Sequence, residues 1–389
     1  MPLTGSRMPR PAVALRQVAF RRWWMGALMQ RRRIVSAMLT AAGAAAAACL
    51  TPHPLQAQSA VGAVDRIGLL LPKSGGPFAR ASAAVRAGIE AGYRRDGRGL
   101  AVDIYEFEET PAALAAAYRG MLERGTALVL GPLSRGGATA LLQLGEVPIT
   151  TIALNQPEGD VALPWNVIVF TLAIEAEAQQ VAAAAMQDMR AQAARGPLAG
   201  AIVITAATPL GRRGAAAFVD QWRSLGGDAQ APVELEESAL YKFRTLARKD
   251  KGDLYFLSMG SELAKPVRTI IGRNLPVYGT SLMSVGGPES GMRAPELDGI
   301  RLMEMPGIMQ SNLAASLGYQ QPPPEFSLEM QRLYSLGIDA FRVARALFSG
   351  QPSFEIDGLT GRLRYDGSQP QIQRRPLLVE YREGMLFTL

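Results

Sequence analysis

From Asp65 onward the sequence alternates short apolar runs with helical stretches, and no other feature constrains the fold as much. Ile67 to Leu71 is unbroken apolar sequence, the pattern of a strand buried on both faces. Lys73-Ser74-Gly75-Gly76-Pro77 then forms a turn. Phe78, Ala81, Val85, Gly88, Ile89 and Gly92 follow at i, i+3, i+4 spacing, the core-facing stripe of a helix. The unit recurs with a strand over 102–107 and a helix over 112–123, then a strand over 127–130 and a helix over 137–144. Further strands fall at 147–152 and 167–170. A second series begins near Leu172, with a helix over 175–191, a strand over 201–205 and a helix over 211–225 stopped by Gly226-Gly227. A strand over 253–257, a helix over 261–271 and a strand over 276–279 complete it. Strands separated by helices make parallel β-α-β crossovers, so the fold class is α/β, doubly wound, in two similar lobes.

The last section breaks this rhythm. Residues 281–296 are rich in Gly, Ser and Pro and read as a connection. A strand over 299–305 follows, then a loop at Pro322-Pro323-Pro324 and a helix over 326–348. Residues 354–361 lead into 362–367 and then into an alternating strand over 376–381, a hairpin punctuated by glycines.

The net charge of +7 invites a nucleic-acid reading, and its distribution removes it. Eight arginines and no Lys, Asp or Glu lie in residues 1–57. The remainder holds 33 basic against 34 acidic residues, scattered rather than striped. No nucleic acid is expected as a partner. The basic stretch ends at Arg33, an alanine-dominated run occupies 34–50, and Leu55-Gln56-Ala57 ends in the small residue a signal peptidase favours. Residues 1–57 therefore read as an export leader, starting at Met1 or Met29, and the destination is the periplasm. The apolar run is short and weakly hydrophobic for a membrane span. The single Cys, Cys49, and the single His, His53, both fall in this leader. Cleavage after Ala57 leaves a chain with no thiol and no imidazole. That chain has no Cys nucleophile, no disulfide, no Cys/His zinc site and no Ser-His-Asp triad. Lipidation of Cys49 is the alternative to that cleavage, with Ala46-Ala47-Ala48 suitably small before it, and is the one route to a membrane.

The opening Ile67-Gly68-Leu69-Leu70-Leu71-Pro72 strand, the Gly131-Pro132-Leu133-Ser134 loop and the closing Gly-Leu-Thr-Gly-Arg-Leu-Arg-Tyr-Asp segment (358–366) together resemble a type I periplasmic binding protein. That resemblance implies two Rossmann-like lobes with parallel sheets joined by three crossover strands. It places lobe 1 at 65–171 plus about 281–350, and lobe 2 at 172–280 plus about 351–389. Within that fold the segments 67–72, 170–178, 210–227 with Trp222, 275–281 and 298–306 are most similar to the LppC-type penicillin-binding protein activators. The family implies a non-enzymatic envelope protein that stimulates a class A penicillin-binding protein. Its longer members carry an N-terminal helical-repeat half, where only the leader is seen here.

Such folds bind ligands at loops following the carboxyl ends of parallel strands. Ser74, Gly75 and Gly76 lie there, where their N–H groups and the next helix could hold an anion, or where the glycines only permit the turn. Ser134, Arg135 and Gly136 occupy the equivalent loop two strands later. Ser258, Thr280 and Ser281 hold the corresponding places in the second lobe, with hydroxyls suited to a small polar ligand. Glu262, the one nearby carboxylate, suits the first turn of a helix. Lys73-Ser74-Gly75 resembles a Lys-Thr-Gly box, but no Ser-x-x-Lys accompanies it, and no phosphate or dinucleotide loop occurs. No catalytic residue, metal or cofactor is expected. Two functions remain, a regulator of peptidoglycan synthesis and a solute receptor of an ABC transporter.

Overall fold

The computed structural model describes residues 65–159, 161–192, 200–236, 240–241, 243–244 and 252–389. The expected leader and Cys49 lie outside these residues.

Five parallel strands form the first sheet: β1 (Asp65–Pro72), β2 (Leu100–Phe107), β3 (Leu128–Leu130), β4 (Thr150–Ala153) and β5 (Val167–Val169), in the order β2-β1-β3-β4-β5. The apolar run of β1 is explained by its two covered faces. Ile67, Leu69 and Leu71 meet Val85 and Ile89 of α1 (Ala79–Asp96) together with α9 (Leu328–Phe348), while Leu70 faces α2 (Pro111–Glu123) and α3 (Arg135–Leu142). Helices α1 and α9 touch backbone to backbone. A Cβ on Gly88 would stand 2.0 Å from the Tyr334 carbonyl oxygen, and one on Gly337 2.3 Å from that of Val85, so glycine is required on both sides.

The parallel part of the second sheet is β6 (Gly200–Ala206), β7 (Asp228–Ala229), β8 (Val233–Leu235), β9 (Leu254–Ser258), β10 (Val277–Gly279) and β11 (Ile300–Glu304). β15 (Leu377–Arg382) adds antiparallel to β11, and β16 (Met385–Thr388) to β15. The order across the sheet is β16-β15-β11-β10-β9-β6-β7, with β8 also on β6. One face is covered by α4 (Ile174–Gln192) and α5 (Pro209–Ser224), where Phe218 stacks between Phe256 and Trp222. Trp222 is fully buried, as its place on the amphipathic helix predicts, and it forces glycine at 227, where a Cβ would meet its Nε1 at 2.2 Å. α6 (Ser261–Ile271) and residues of 281–297 cover the other face.

A small antiparallel sheet of β12 (Phe354–Asp357), β13 (Arg362–Tyr365) and β14 (Gln373–Arg375) completes the molecule with the short helices α7 (Pro306–Met309) and α8 (Leu313–Ser316). The chain passes between lobes three times: between β5 and α4, between β11 and α9, and at Pro376 between β14 and β15.

Two expected boundaries are corrected. The sequence reading puts 281–305 in lobe 1, but β11 continues the second sheet, and Met283, Ala294 and Leu297 pack in its core. It puts the segment from 351 in lobe 2, but Phe354, Leu363, Tyr365 and Ile372 are buried in the first core. The expected hairpin is real as β12–β13. Its anticipated continuation over 376–381 belongs to the other sheet, because Pro376, without an N–H to donate, marks the crossing.

Candidate functional site: the cleft between the lobes

The carboxyl ends of β1 and β3 in one lobe, and of β9 and β10 in the other, supply the candidate residues. Ser74, Gly75 and Gly76 form an exposed turn after β1. Neither glycine has positive φ, and a Cβ on Gly75 would meet nothing within 4 Å, so this turn does not demand glycine. Ser74 Oγ stands 3.5 Å from Glu106, and Lys73 pairs with Glu108 at 3.0 Å. Ser134 is committed to the chain. Its Oγ accepts the Gly137 N–H at 2.9 Å as the N-cap of α3 and donates to Glu109 at 2.6 Å. Glu262 lies in the first turn of α6, paired with Lys265 at 2.7 Å.

Arg135 reaches across the cleft. It donates to Glu175 of α4 at 2.9 Å and to the Pro157 carbonyl at 3.3 Å. Arg213 of α5 approaches the same Glu175 at 3.1 Å, so two arginines share one carboxylate at the rim.

Thr205, Ser258 and Thr280 stand side by side at the ends of β6, β9 and β10. Thr205 is in register with Ser258, and Leu257 with Gly279, which sets Ser258 beside Thr280. All three are buried, on the face covered by α4 and α5. The Thr205 hydroxyl donates to main-chain carbonyls, whereas Ser258 Oγ and Thr280 Oγ1 have no partner among the described residues. Ser281 is engaged. Its N–H and its hydroxyl both donate to the buried carboxylate of Glu177, the hydroxyl at 2.8 Å.

Glu177 opens a charged cluster between the lobes that the candidate residues do not include. Glu304, fully buried at the end of β11, accepts from Arg332 of α9 at 2.5 Å, and Arg332 also donates to the Ser281 carbonyl at 3.1 Å. Gln180 of α4 donates to the Arg374 carbonyl at 3.0 Å. Two acids from lobe 2 thus face two arginines from lobe 1. Burial pushes the Glu177 carboxyl up, against the pull of the Ser281 N–H and the Arg374 charge. Burial draws the Arg374 guanidinium down despite Glu177 and Glu304. At Arg332 burial acts the same way, but Glu304 and Glu177 outweigh it and lift the guanidinium. A signal for these residues exists in the sequence. Glu304 is a charge inside an apolar strand, and Arg332, Ser335 and Asp339 recur at i, i+3, i+7 on the buried stripe of an apolar helix.

Among the described residues no three His, Cys, Asp or Glu side chains come together to hold a metal ion, and no helix is long and apolar enough to cross a membrane.

Two parallel-sheet lobes, three crossings and a cleft at the strand ends define the type I periplasmic-binding-protein fold. Solved structures share it. A protein from Chromobacterium violaceum ATCC 12472 carrying the name of a branched-chain amino acid ABC transporter is 28% identical, with a TM-score of 0.65, covering 82% of this chain and 100% of that one. The C-domain of LpoA from Haemophilus influenzae, named as a regulator of PBP1A, is 19% identical, with a TM-score of 0.64, covering 84% and 100%. The family model described as "LppC putative lipoprotein" matches residues 20–241 and 241–384, and the chain belongs to that family. Among curated relatives, the penicillin-binding protein activator LpoA of Photobacterium profundum is 26% identical over 348 residues, which is 81% of this chain and 55% of that protein. The chain spans about half the length of the curated relatives it matches.

Proposed function

We propose that residues 65–389 are the docking module of a non-enzymatic periplasmic regulator that binds a class A penicillin-binding protein and stimulates its cross-linking. The observation that carries this reading is the state of the cleft. Arg135, Glu175 and Arg213 bridge its rim, and Glu304, Arg332 and Ser281 bridge its depth, so the protein's own side chains occupy the charged groups a receptor would offer to a solute. A cleft held by internal ion pairs suits a rigid body recognised by its surface. The names of the relatives, an activator and a regulator of PBP1A, agree with a regulatory and non-enzymatic role. Export by an N-terminal leader accords with the lipoprotein family, and so does an anchor on Cys49, which requires the leader to end before that residue rather than at Ala57.

The test is co-purification with a class A penicillin-binding protein and a cross-linking assay with and without this chain. Association and a raised transpeptidation rate are expected. One observation favours the solute-receptor reading: the fold is shared with a protein named for amino-acid transport that is 28% identical to this chain. A receptor gains about 4 kcal/mol at a thousandfold excess of ligand over Kd. An amino acid that raises Tm accordingly, with no synthase associating, would replace the regulator reading by the receptor one.

A further inference from the structure

A second polar feature lies away from the cleft, on lobe 1. A cavity of about 280 Å³ is lined by Arg95, Asp96, Arg342 and Arg345, with Leu317, Tyr319 and Ile356 as its less polar walls. Arg95 lies over the Tyr319 ring at 4.6 Å from the centroid, and Arg342 at 5.9 Å. Two carboxylates are near, and both are engaged. Asp96 pairs with Arg95 at 2.9 Å and accepts the Tyr319 hydroxyl at 2.8 Å. Asp339 is fully buried. It accepts the N–H groups of Leu359 and Thr360 and the Thr360 hydroxyl, besides its 3.2 Å contact with Arg342. Arg345 takes part in no ion pair among the described residues, and its guanidinium donates only to the main-chain oxygen of Asp96.

Basic residues in the last turn of a helix suit the dipole, which accounts for Arg95 on α1 and Arg345 on α9 being cationic. The dipole does not account for three guanidinium groups converging on one partly apolar cavity with their charge in excess of the local acids. We propose that this notch is a docking site for an acidic segment of a protein partner. A Glu or Asp side chain enters with its carboxylate against Arg345 and Arg95 and its methylene stem against Leu317 and Ile356. A carboxylate matches the planar guanidinium fork. A phosphate fits the same fork, but the notch lies at the C-terminal ends of α1 and α9, where the helix dipoles oppose a dianion more than the single charge of a carboxylate. The inference goes beyond the synthase reading and stands whether or not the acidic partner is that enzyme.

The probe is fluorescein-labelled hexaglutamate, titrated with the full chain and followed by anisotropy. Binding that weakens with salt is expected. Arg345→Glu should weaken it by about tenfold or more, and Arg212→Glu, on the other lobe, by less than about twofold. Circular dichroism and Tm check that each variant is folded, and Arg345→Ala replaces the charge reversal if that disturbs the helix. Inorganic phosphate and phosphatidylglycerol vesicles should fail to displace the peptide. Absence of hexaglutamate binding at millimolar protein, an equal loss in Arg212→Glu, or displacement by phosphate or by vesicles would each overturn the proposal.

Discussion

The pair Arg332–Glu304 gives the sharpest test of how the lobes are held. Glu304 is fully buried and the Arg332 side chain is 12% exposed, so neither charge has water to fall back on. Replacing Arg332 by Met keeps much of the stem and removes the cation, leaving a buried carboxylate with the Met305 N–H as its remaining direct donor. Breaking a buried pair from one side costs about 3–5 kcal/mol. At roughly 2 °C per kcal/mol for a large unit, Tm should fall by about 6–10 °C. Glu304→Gln retains an acceptor for Met305 and should cost less. The double variant, with no charge left to bury, should be more stable than the sum of the singles implies, by about 2 kcal/mol of coupling. Urea unfolding followed by circular dichroism and tryptophan fluorescence measures all four corners of the cycle. Strictly additive effects, or an Arg332→Met shift within about 0.5 kcal/mol of wild type, would refute the claim that this pair bridges the lobes.

Three further outcomes follow from the structure. Burial raises the Glu177 carboxyl above its ordinary 4.5, so the folded chain holds that proton more tightly than the unfolded one. Its ionisation therefore subtracts stability as pH rises from 4.5 through the folded value, and Glu177→Gln should flatten that part of a urea-midpoint-against-pH curve; an unchanged slope would contradict the assignment. Gly337→Ala would drive a methyl to 2.3 Å from the Val85 carbonyl oxygen, a backbone atom that cannot step aside, and should cost about 3 kcal/mol or more in thermal unfolding. Gly75→Ala, with open space around it, should change stability by less than about 0.5 kcal/mol.

Periodicity makes most of the architecture legible. The unbroken run of β1 and the Gly226-Gly227 stop after α5 mark real elements within a residue or two of their observed ends, and the stripe of α1 marks a helix that continues four residues beyond it, to Asp96. The closing section is misread between lobes because its strands are short and those after α9 follow one another with no helix between them to signal direction. A strand such as Ile300–Glu304 announces that it is buried without announcing in which sheet. The candidate site is legible only as positions. Strand-end loops can be named from the sequence, but whether Ser134 caps a helix or faces a ligand depends on Gly137 and Glu109 meeting it in space. Glu304 and Arg332 stand out singly in the sequence, but the cluster they form with Glu177 and Arg374 does not, because the four lie in separate elements far apart along the chain.

The glycine contact between α1 and α9 also bears on how the chain matures. One helix begins at Ala79 and its mate at Leu328, with the whole second sheet apart from its final hairpin encoded between them. Until that distant helix has been made and delivered, Ile67, Leu69 and Leu71 have only the α1 part of their cover. The earliest lobe to be synthesised is thus the last able to shield its oily side. A precursor of this design must be chaperoned or kept unfolded until nearly its full length is available, and any truncation ahead of residue 328 should yield an aggregating fragment rather than a half-sized module.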